Sequence, residues 1–144
     1  MTQQKSTSLL SRDVAVGDEL TPLKVDVTAT AIVAGAIASH DYMPMHHDRD
    51  FAQAQGAPDI FFNIMSTNAY IARFITDWAG PEAILKNISI RLGVQAVPGQ
   101  TLLFSGTVTR TESGESECLV ELAIKASVET GDHATGTAAL TLPL

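Results

Sequence analysis

The chain has 144 residues, of which 45% are hydrophobic and 17% are charged. A chain of this length and composition is expected to fold as one globular domain around a single core. Its formal net charge is −7 and its basic residues stand at isolated positions, so the sequence disfavours binding to nucleic acid or to an anionic membrane. The single cysteine, Cys118, excludes an intrachain disulfide and a thiolate metal site and suits a reducing compartment.

The first residues of the chain are polar and unlike a signal peptide. Residues 1–13 are rich in Ser, Thr and Gln, and they predict a flexible N-terminal tail ahead of a single domain over residues 14–144. The longest apolar segment, residues 30–39, is too short to span a bilayer. We therefore expect a cytoplasmic protein with no membrane contact.

The domain is predicted to begin with one strand and one short helix. Within residues 18–27, turn residues are followed by an alternating pattern that predicts a strand. Small and branched apolar residues over positions 28–39 then predict a buried helix with Thr28 as its N-cap.

The next segment brings a carboxylate and an imidazole close together in a loop. Pro44 fixes its own φ angle and biases Met43 away from the α region, so the step from Asp41 to His46 is expected to be bent. Such a loop can hold one water between the carboxylate and the imidazole. An acid and a base placed around one water are the groups needed to add water across a polarised double bond. On spacing alone, Asp41 also fits a turn residue that caps its own backbone, and His46 a buried histidine with a satisfied hydrogen bond.

Two further helices are predicted after this loop. Asp48 is placed as the N-cap of a short helix over residues 49–55, which Gly56 ends. The principal helix is predicted over residues 60–78, with a sharp stop at Gly80. Its apolar positions cover more than one stripe, so we expect it to be buried on most sides.

From residue 83 onward the hydrophobic pattern alternates, which indicates strands. They are predicted over residues 83–92, 101–111, 117–128 and 135–142, with Gly-containing turns between them. An antiparallel sheet must cover its apolar face, and a helix that is apolar nearly all round is what it would wrap. The predicted class is α+β, a hot-dog fold with a curved antiparallel sheet around one long central helix. A single sheet leaves an exposed edge, so a partner chain is expected.

Two motifs resemble the MaoC-like family of hot-dog enoyl-CoA hydratases. The family signature is an Asp, a Pro three positions later and a His five positions later, matched by Asp41, Pro44 and His46. A strand ending in Arg and a following Pro-Gly turn are matched by residues 90–93 and 97–102. Within the family, four stretches are similar to the small MaoC-like subunits of heteromeric hydratases that act on steroid side-chain CoA thioesters in actinobacteria. These are residues 46–50, 59–64, 76–81 and 90–94.

The chain departs from the family pattern at two places. Met43 stands where the family usually has Asn, and Phe61, Phe62 and Asn63 stand where the helix start commonly reads Ala-His-Gly. The second departure leaves Asn63 to offer its backbone N–H where the family uses that of glycine.

The resemblance implies a hydratase in which Asp41 and His46 activate one water that adds to the β-carbon of an α,β-unsaturated acyl-CoA thioester. It implies no metal and no cofactor. Asn63 and Ser66, one turn apart on the central helix, and Arg91 on a strand are the candidate substrate-binding residues. Asn63 equally fits a bond to a neighbouring loop, and Arg91 an exposed arginine on an acidic surface.

The resemblance also implies an association between hot-dog chains. The expected partner is a second MaoC-like chain, in a heterodimer or heterotetramer, or another copy of this chain in a homodimer. Two other functions stay open at this point. One is a hot-dog acyl-CoA thioesterase with Asp41 as base, and the other is a non-catalytic subunit that stabilises an active partner.

Overall fold

Five strands pair into one antiparallel sheet in the order β1-β3-β4-β5-β2. The computed structural model describes residues 7–144. The strands are β1 Leu23–Asp26, β2 Ile84–Leu92, β3 Thr101–Ser113, β4 Glu117–Val128 and β5 Gly131–Pro143. The helices are α1 Ala29–Ala38, α2 Arg49–Ala54 and α3 Ile64–Ala79. All four strands predicted in the second half of the chain are present, and β4 has the predicted bounds.

The inner face of the sheet packs on α3 and supplies most of the core. Buried and less buried residues alternate along β4, as expected for a strand with one face on a core. Phe74 of α3 lies beside Phe104 of β3, with ring centroids 6.3 Å apart. Ile71 and Ile75 of α3 are fully buried. Burying each such side chain contributes roughly 1.5–3 kcal/mol, so this contact holds the helix on the sheet.

The long helix begins four residues later than predicted. Phe62 lies outside the helix, and its N–H donates to the carbonyl of Ala96 at 3.2 Å. Asn63 then acts as the N-cap, and its Oδ1 accepts from the N–H of Ser66 at 2.9 Å. The helix stops at Gly80, whose φ of +88° suits glycine. The predicted start was wrong because these partners lie outside the helical pattern.

The expectation that this helix is buried on most sides was also wrong. Ile64 and Met65 are 46% and 42% exposed, and Ala69 and Arg73 continue the exposed stripe along the helix. One stripe of α3 therefore faces away from the sheet.

The two short helices begin at the predicted caps. Thr28 accepts from the N–H of Ala31 at 3.0 Å, and Asp48 accepts from the N–H of Phe51 at 3.0 Å. These bonds satisfy N–H groups that a first helical turn leaves free.

The chain before β1 lies against the end of α3. The N–H of Leu9 donates to the carbonyl of Ala79 at 2.9 Å, and Ser8 Oγ accepts from the N–H of Glu82 at 2.8 Å. The predicted tail over residues 1–13 falls partly outside the described residues, so the domain boundary stays a prediction. No helix within residues 7–144 is long and apolar enough to cross a membrane.

Candidate active site

The loop after α1 turns sharply and presents two titratable side chains. His40 has a φ of +56°, and the N–H of Asp41 returns to the carbonyl of Ala36 at 2.9 Å. Pro44 then begins a single 3₁₀ turn, Pro44–His46. The bend predicted from Pro44 is present, and it brings Asp41 and His46 to the same side of the loop.

Asp41 and His46 form a close pair at the edge of the core. Oδ2 of Asp41 lies 3.4 Å from Nε2 of His46, and the two side chains are 22% and 9% exposed. Nδ1 of His46 donates to the carbonyl of Phe61 at 2.7 Å, because a carbonyl oxygen only accepts. In the neutral imidazole Nε2 therefore carries a lone pair, and it faces the carboxylate.

Asn63 ties the pair to the start of α3. Its side-chain Nδ2 donates to Asp41 Oδ2 at 3.0 Å and to Ser39 Oγ at 2.9 Å, while its Oδ1 caps the helix. Asn63 is 3% exposed, so these bonds occupy both side-chain N–H groups inside the protein. The structure gives the Asn63 side chain a positioning role beside Asp41 and leaves no side-chain donor for a ligand.

The same contacts keep Asp41 ionised. The hydrogen bond from the Asn63 side chain lowers the pKa of Asp41 below its ordinary value of 3.8. Partial burial acts in the opposite direction, while the N–H of Met43 and the neighbouring His46 lower the pKa further. Hydrogen bonds to a carboxylate favour its charged form. At neutral pH the site therefore holds a carboxylate that accepts and does not donate.

The start of α3 presents unpaired N–H groups. Within residues 7–144 the peptide N–H groups of Asn63, Ile64 and Met65 have no hydrogen-bond acceptor. The first N–H groups of a helix have no acceptor within it, and the helix dipole makes this end favourable for negative charge. The predicted backbone donor at Asn63 is thus accompanied by two more.

Ser66 lies one turn further along α3 and lines a groove against α1. It is 7% exposed, and its Oγ has no hydrogen-bond partner within the described part of the chain. The groove has a volume of about 570 Å³, and its lining also includes Ser39, which bonds to Asn63. The structure therefore brings Asp41, His46, Asn63 and Ser66 into one region.

Arg91 makes no hydrogen bond or ion pair with the Asp41 loop within the described residues. It lies on β2 at the edge of the sheet, opposite Thr135 of β5, and is exposed. Its predicted contact with substrate finds no support within a single chain.

Comparison with known proteins identifies the family. A family model described as "MaoC like domain" matches residues 13–130 of the chain.

The chain belongs to the MaoC-like family. It is 42% identical over 127 residues to the 3-oxo-4,17-pregnadiene-20-carboxyl-CoA hydratase beta subunit of Mycobacterium tuberculosis, covering 88% of this chain and 95% of that protein. It is similar to a chain in the crystal structure of the ChsH1-ChsH2 complex of M. tuberculosis, with a TM-score of 0.84 and 41% identity over 89% of this chain and 98% of that one.

More distant structures share the same architecture. An (R)-hydratase of A. caviae involved in PHA biosynthesis matches with a TM-score of 0.83 at 20% identity, covering 92% of this chain and 99% of that one. The hot-dog class predicted for this MaoC-like chain, a curved antiparallel sheet around one central helix, is confirmed.

His133 is a buried polar residue of this MaoC-like domain that the sequence did not single out. It is 2% exposed, its Nδ1 donates to the carbonyl of Val94 at 2.7 Å, and its Nε2 lies 2.9 Å from Thr67 Oγ1. Burial lowers the pKa of His133, against the opposing effect of the Val94 hydrogen bond. The N–H of Thr67 donates to the Asn63 carbonyl, so His133 supports the start of α3 from the side of the sheet.

The described part of this MaoC-like chain offers no ready metal site. Within residues 7–144 no group of three or more His, Cys, Asp or Glu side chains is placed to hold a metal ion. The chemistry available in the region is that of a carboxylate, an imidazole and peptide N–H groups.

Proposed function

We propose that this chain is the catalytic subunit of an enoyl-CoA hydratase that adds water to an α,β-unsaturated acyl-CoA thioester with a bulky, steroid-like acyl group. The observation that carries the proposal is the pair of acceptors, the Asp41 carboxylate and Nε2 of His46, 3.4 Å apart beside the free N–H groups of α3. Membership of the MaoC-like family supports it.

The pair is suited to bind and activate one water molecule. Both atoms accept, so a water can donate one O–H to Asp41 and the other to His46. The 3.4 Å separation is too short for a water on the line between them, and a water about 2.8 Å from each lies beside that line. As the water oxygen bonds to the β-carbon, its proton passes to the pair. A proton on Nε2 then faces the Asp41 carboxylate, which stabilises the imidazolium.

The reaction is completed at the α-carbon. Attack at the β-carbon moves electron density onto the thioester oxygen, and the proton held by the pair is then transferred to the α-carbon. The net change is one OH and one H added across the double bond. The N–H groups at the start of α3 are suited to bind the developing negative charge, and such donors contribute about 10²–10³ in kcat in other enzymes. Ile64 supplies one of these N–H groups, and the helix dipole adds to it.

The proposed substrate rests on the relative from M. tuberculosis. That protein is named for hydration of 3-oxo-4,17-pregnadiene-20-carboxyl-CoA, and the similarity covers most of both chains. A CoA ester of a ring-bearing acyl group is therefore the first substrate to test. A cytoplasmic location, where acyl-CoA thioesters are made and used, is part of the same proposal.

The proposed partner is a second MaoC-like hot-dog chain. The similar chain of known structure was crystallised in the ChsH1-ChsH2 complex. In this chain β2 forms one edge of the sheet, and Ile84 and Leu92 on it are 54% and 41% exposed. An exposed apolar edge strand is normally covered by another chain. A homodimer is the alternative, and the masses of what co-purifies would distinguish the two.

The test compares two reactions on the protein isolated with its natural partner. The protein is given 3-oxo-4,17-pregnadiene-20-carboxyl-CoA or crotonyl-CoA, and both loss of enoyl absorbance and release of free thiol are followed. A hydratase consumes the enoyl absorbance and forms a product heavier by one water. Thiol release without hydration would instead support a thioesterase.

A substitution at Asp41 separates a catalytic from a stabilising subunit. Asp41→Asn keeps the shape of the side chain and removes its charge, and we expect hydration to fall by about 10²–10⁴-fold. Asp50→Asn, an exposed change in the first turn of α2, is the control and is expected to keep full activity. Full activity of Asp41→Asn in an intact complex would contradict the catalytic role.

A further inference from the structure

Helices α1 and α3 run antiparallel and touch closely at one point. Ser39 just after α1 bonds to Asn63 just before α3, and one turn back along α1 Gly35 faces Ser66 one turn further along α3. A Cβ on Gly35 would lie 2.2 Å from Ser66 Oγ, so a larger residue at this position would force the Ser66 side chain to move. The groove described above follows this contact along both helices.

The groove has the size and lining of a ligand site. Its volume of about 570 Å³ falls within the roughly 300–1,000 Å³ usual for small-molecule pockets. The α1 wall carries small side chains at Ala31, Ala34 and Ala38, and the α3 side includes Phe62 and Tyr70. From Ala38 to Ala31 the wall extends about 10 Å at helical rise.

One end of the groove lies beside the Asp41–His46 pair. Ser39 lines the groove and accepts from Asn63, which also donates to Asp41. A thioester whose β-carbon is at the pair can therefore extend its acyl group into the groove without crossing another element.

Ser66 gives an independent indication of a ligand. Ser66 is 7% exposed, and its buried hydroxyl has no hydrogen-bond partner within the described residues. Buried polar groups are nearly always hydrogen-bonded. An unsatisfied buried hydroxyl destabilises a protein, and an oxygen of a bound ligand would satisfy it.

We infer that the groove between α1 and α3 holds the acyl group of the substrate. The side chains along α1 then determine how long an acyl group the groove accepts. The inference rests on the proposed function and deepens it. The ligand class is a mainly apolar acyl group about 10 Å long, because the lining is mainly apolar and the α1 wall extends over that distance. Ser66 donates to an oxygen of the bound thioester.

The test places a larger side chain at two distances from the pair. Ala38→Leu lies next to Ser39, and Ala34→Leu lies one turn further away; both positions are exposed and helical, where leucine is well tolerated. Ala38→Leu is expected to lower kcat/KM for both crotonyl-CoA and the ring-bearing thioester. Ala34→Leu is expected to lower the ratio of ring-bearing to crotonyl kcat/KM by about 10- to 200-fold.

A matched control lies on the other side of α3. Ala72 lines a separate hollow between α3 and β2, together with Leu85 and Ile88. Ala72→Leu is expected to leave the substrate ratio unchanged. The inference is overturned if Ala72→Leu and not Ala34→Leu changes the ratio. It is also overturned if Ala34→Leu changes the mass of the complex in light scattering, since the groove would then be a subunit contact.

Ser66→Ala tests the hydroxyl without enlarging any side chain. Removing a buried hydroxyl that lacks a partner is expected to leave urea stability unchanged or slightly higher. KM for the ring-bearing thioester is expected to rise about ten-fold. An unchanged KM would refute the role of Ser66. Failure of the wild-type complex to hydrate either thioester would instead refute the proposed function, so the two failures are distinct.

Discussion

Of the four histidines, His46 and His133 are buried, and each donates Nδ1 to a backbone carbonyl at 2.7 Å. They differ in what faces Nε2. His46 faces the Asp41 carboxylate at 3.4 Å, beside a groove, while His133 faces the hydroxyl of Thr67 at 2.9 Å inside the core. The comparison shows that the same carbonyl anchor serves two purposes. Opposite a carboxylate it leaves a lone pair free for a proton, and opposite a hydroxyl it closes a structural bridge.

The strongest test of the difference between His46 and His133 makes the same substitution at each of them. His46→Gln removes the lone pair at Nε2, and we expect hydration to fall by about 10²–10⁴-fold with a modest change in stability. His133→Gln replaces the rigid ring that contacts Val94 and Thr67 with a flexible amide, and we expect it to lower the free energy of unfolding by about 1–3 kcal/mol.

Both variants are measured by hydration kinetics per folded molecule and by urea denaturation of the isolated complex. The expected pattern is crossed, since one variant loses activity and the other loses stability. If His133→Gln lost as much activity per folded molecule as His46→Gln, the distinction between the two histidines would fail.

Asn63 joins the two regions, and two substitutions separate its roles. Asn63→Ala removes the helix cap and the donor to Asp41, whereas Asn63→Asp keeps a capping oxygen and replaces the donor with a second carboxylate. Because the Asn63 bond lowers the pKa of Asp41, both variants should raise that pKa and move the acid limb of hydration to higher pH. Only Asn63→Ala should also lose about 0.5–2 kcal/mol of stability from the missing cap.

The measurement is kcat/KM from about pH 3 to pH 7, with urea denaturation at neutral pH. The stronger shift is expected for Asn63→Asp, since it places a second carboxylate beside Asp41. An acid limb that stays in place in both variants would show that Asp41 is not the group that limits activity at low pH.

The sequence predicts the features that depend on neighbours along the chain. The caps at Thr28 and Asp48, the stop at Gly80 and the bend at Pro44 all follow from local chemistry, and the structure has them. The alternating hydrophobic pattern of β4 also predicted a strand, because one face of that strand is buried. The same locality brings Asp41 and His46 together.

The features that were missed depend on distant partners. The hydrogen bond from Phe62 to Ala96 sets the start of α3, and the helical pattern of the sequence does not predict this bond. His133 finds its two partners 39 and 66 residues away, with no motif around it. The substrate contact expected of Arg91 stays a prediction, since the fold of one chain shows only that Arg91 is exposed on the edge strand β2.

The smallest expected effect is a pH dependence of stability that comes from His133 alone. Burial lowers its pKa below the ordinary value of 6.5, so the folded protein keeps this imidazole neutral where the unfolded chain takes up a proton. As the pH falls below about 6.5, the free energy of unfolding should therefore decrease, by at most about 1.4 kcal/mol per pH unit. The decrease ends where the folded His133 itself becomes protonated.

Urea denaturation of wild type and His133→Gln at pH values from about 7.5 down to about 5 measures this contribution. Asp41 does not interfere in that range, because its pKa is lowered from 3.8 and its stabilisation is lost only at more acid pH. The variant should lose stability at neutral pH and show a flatter decline below pH 6.5 than wild type. Equal declines in the two proteins would mean that His133 takes up its proton as readily in the core as in the unfolded chain, and that the Thr67 bridge does not hold it neutral.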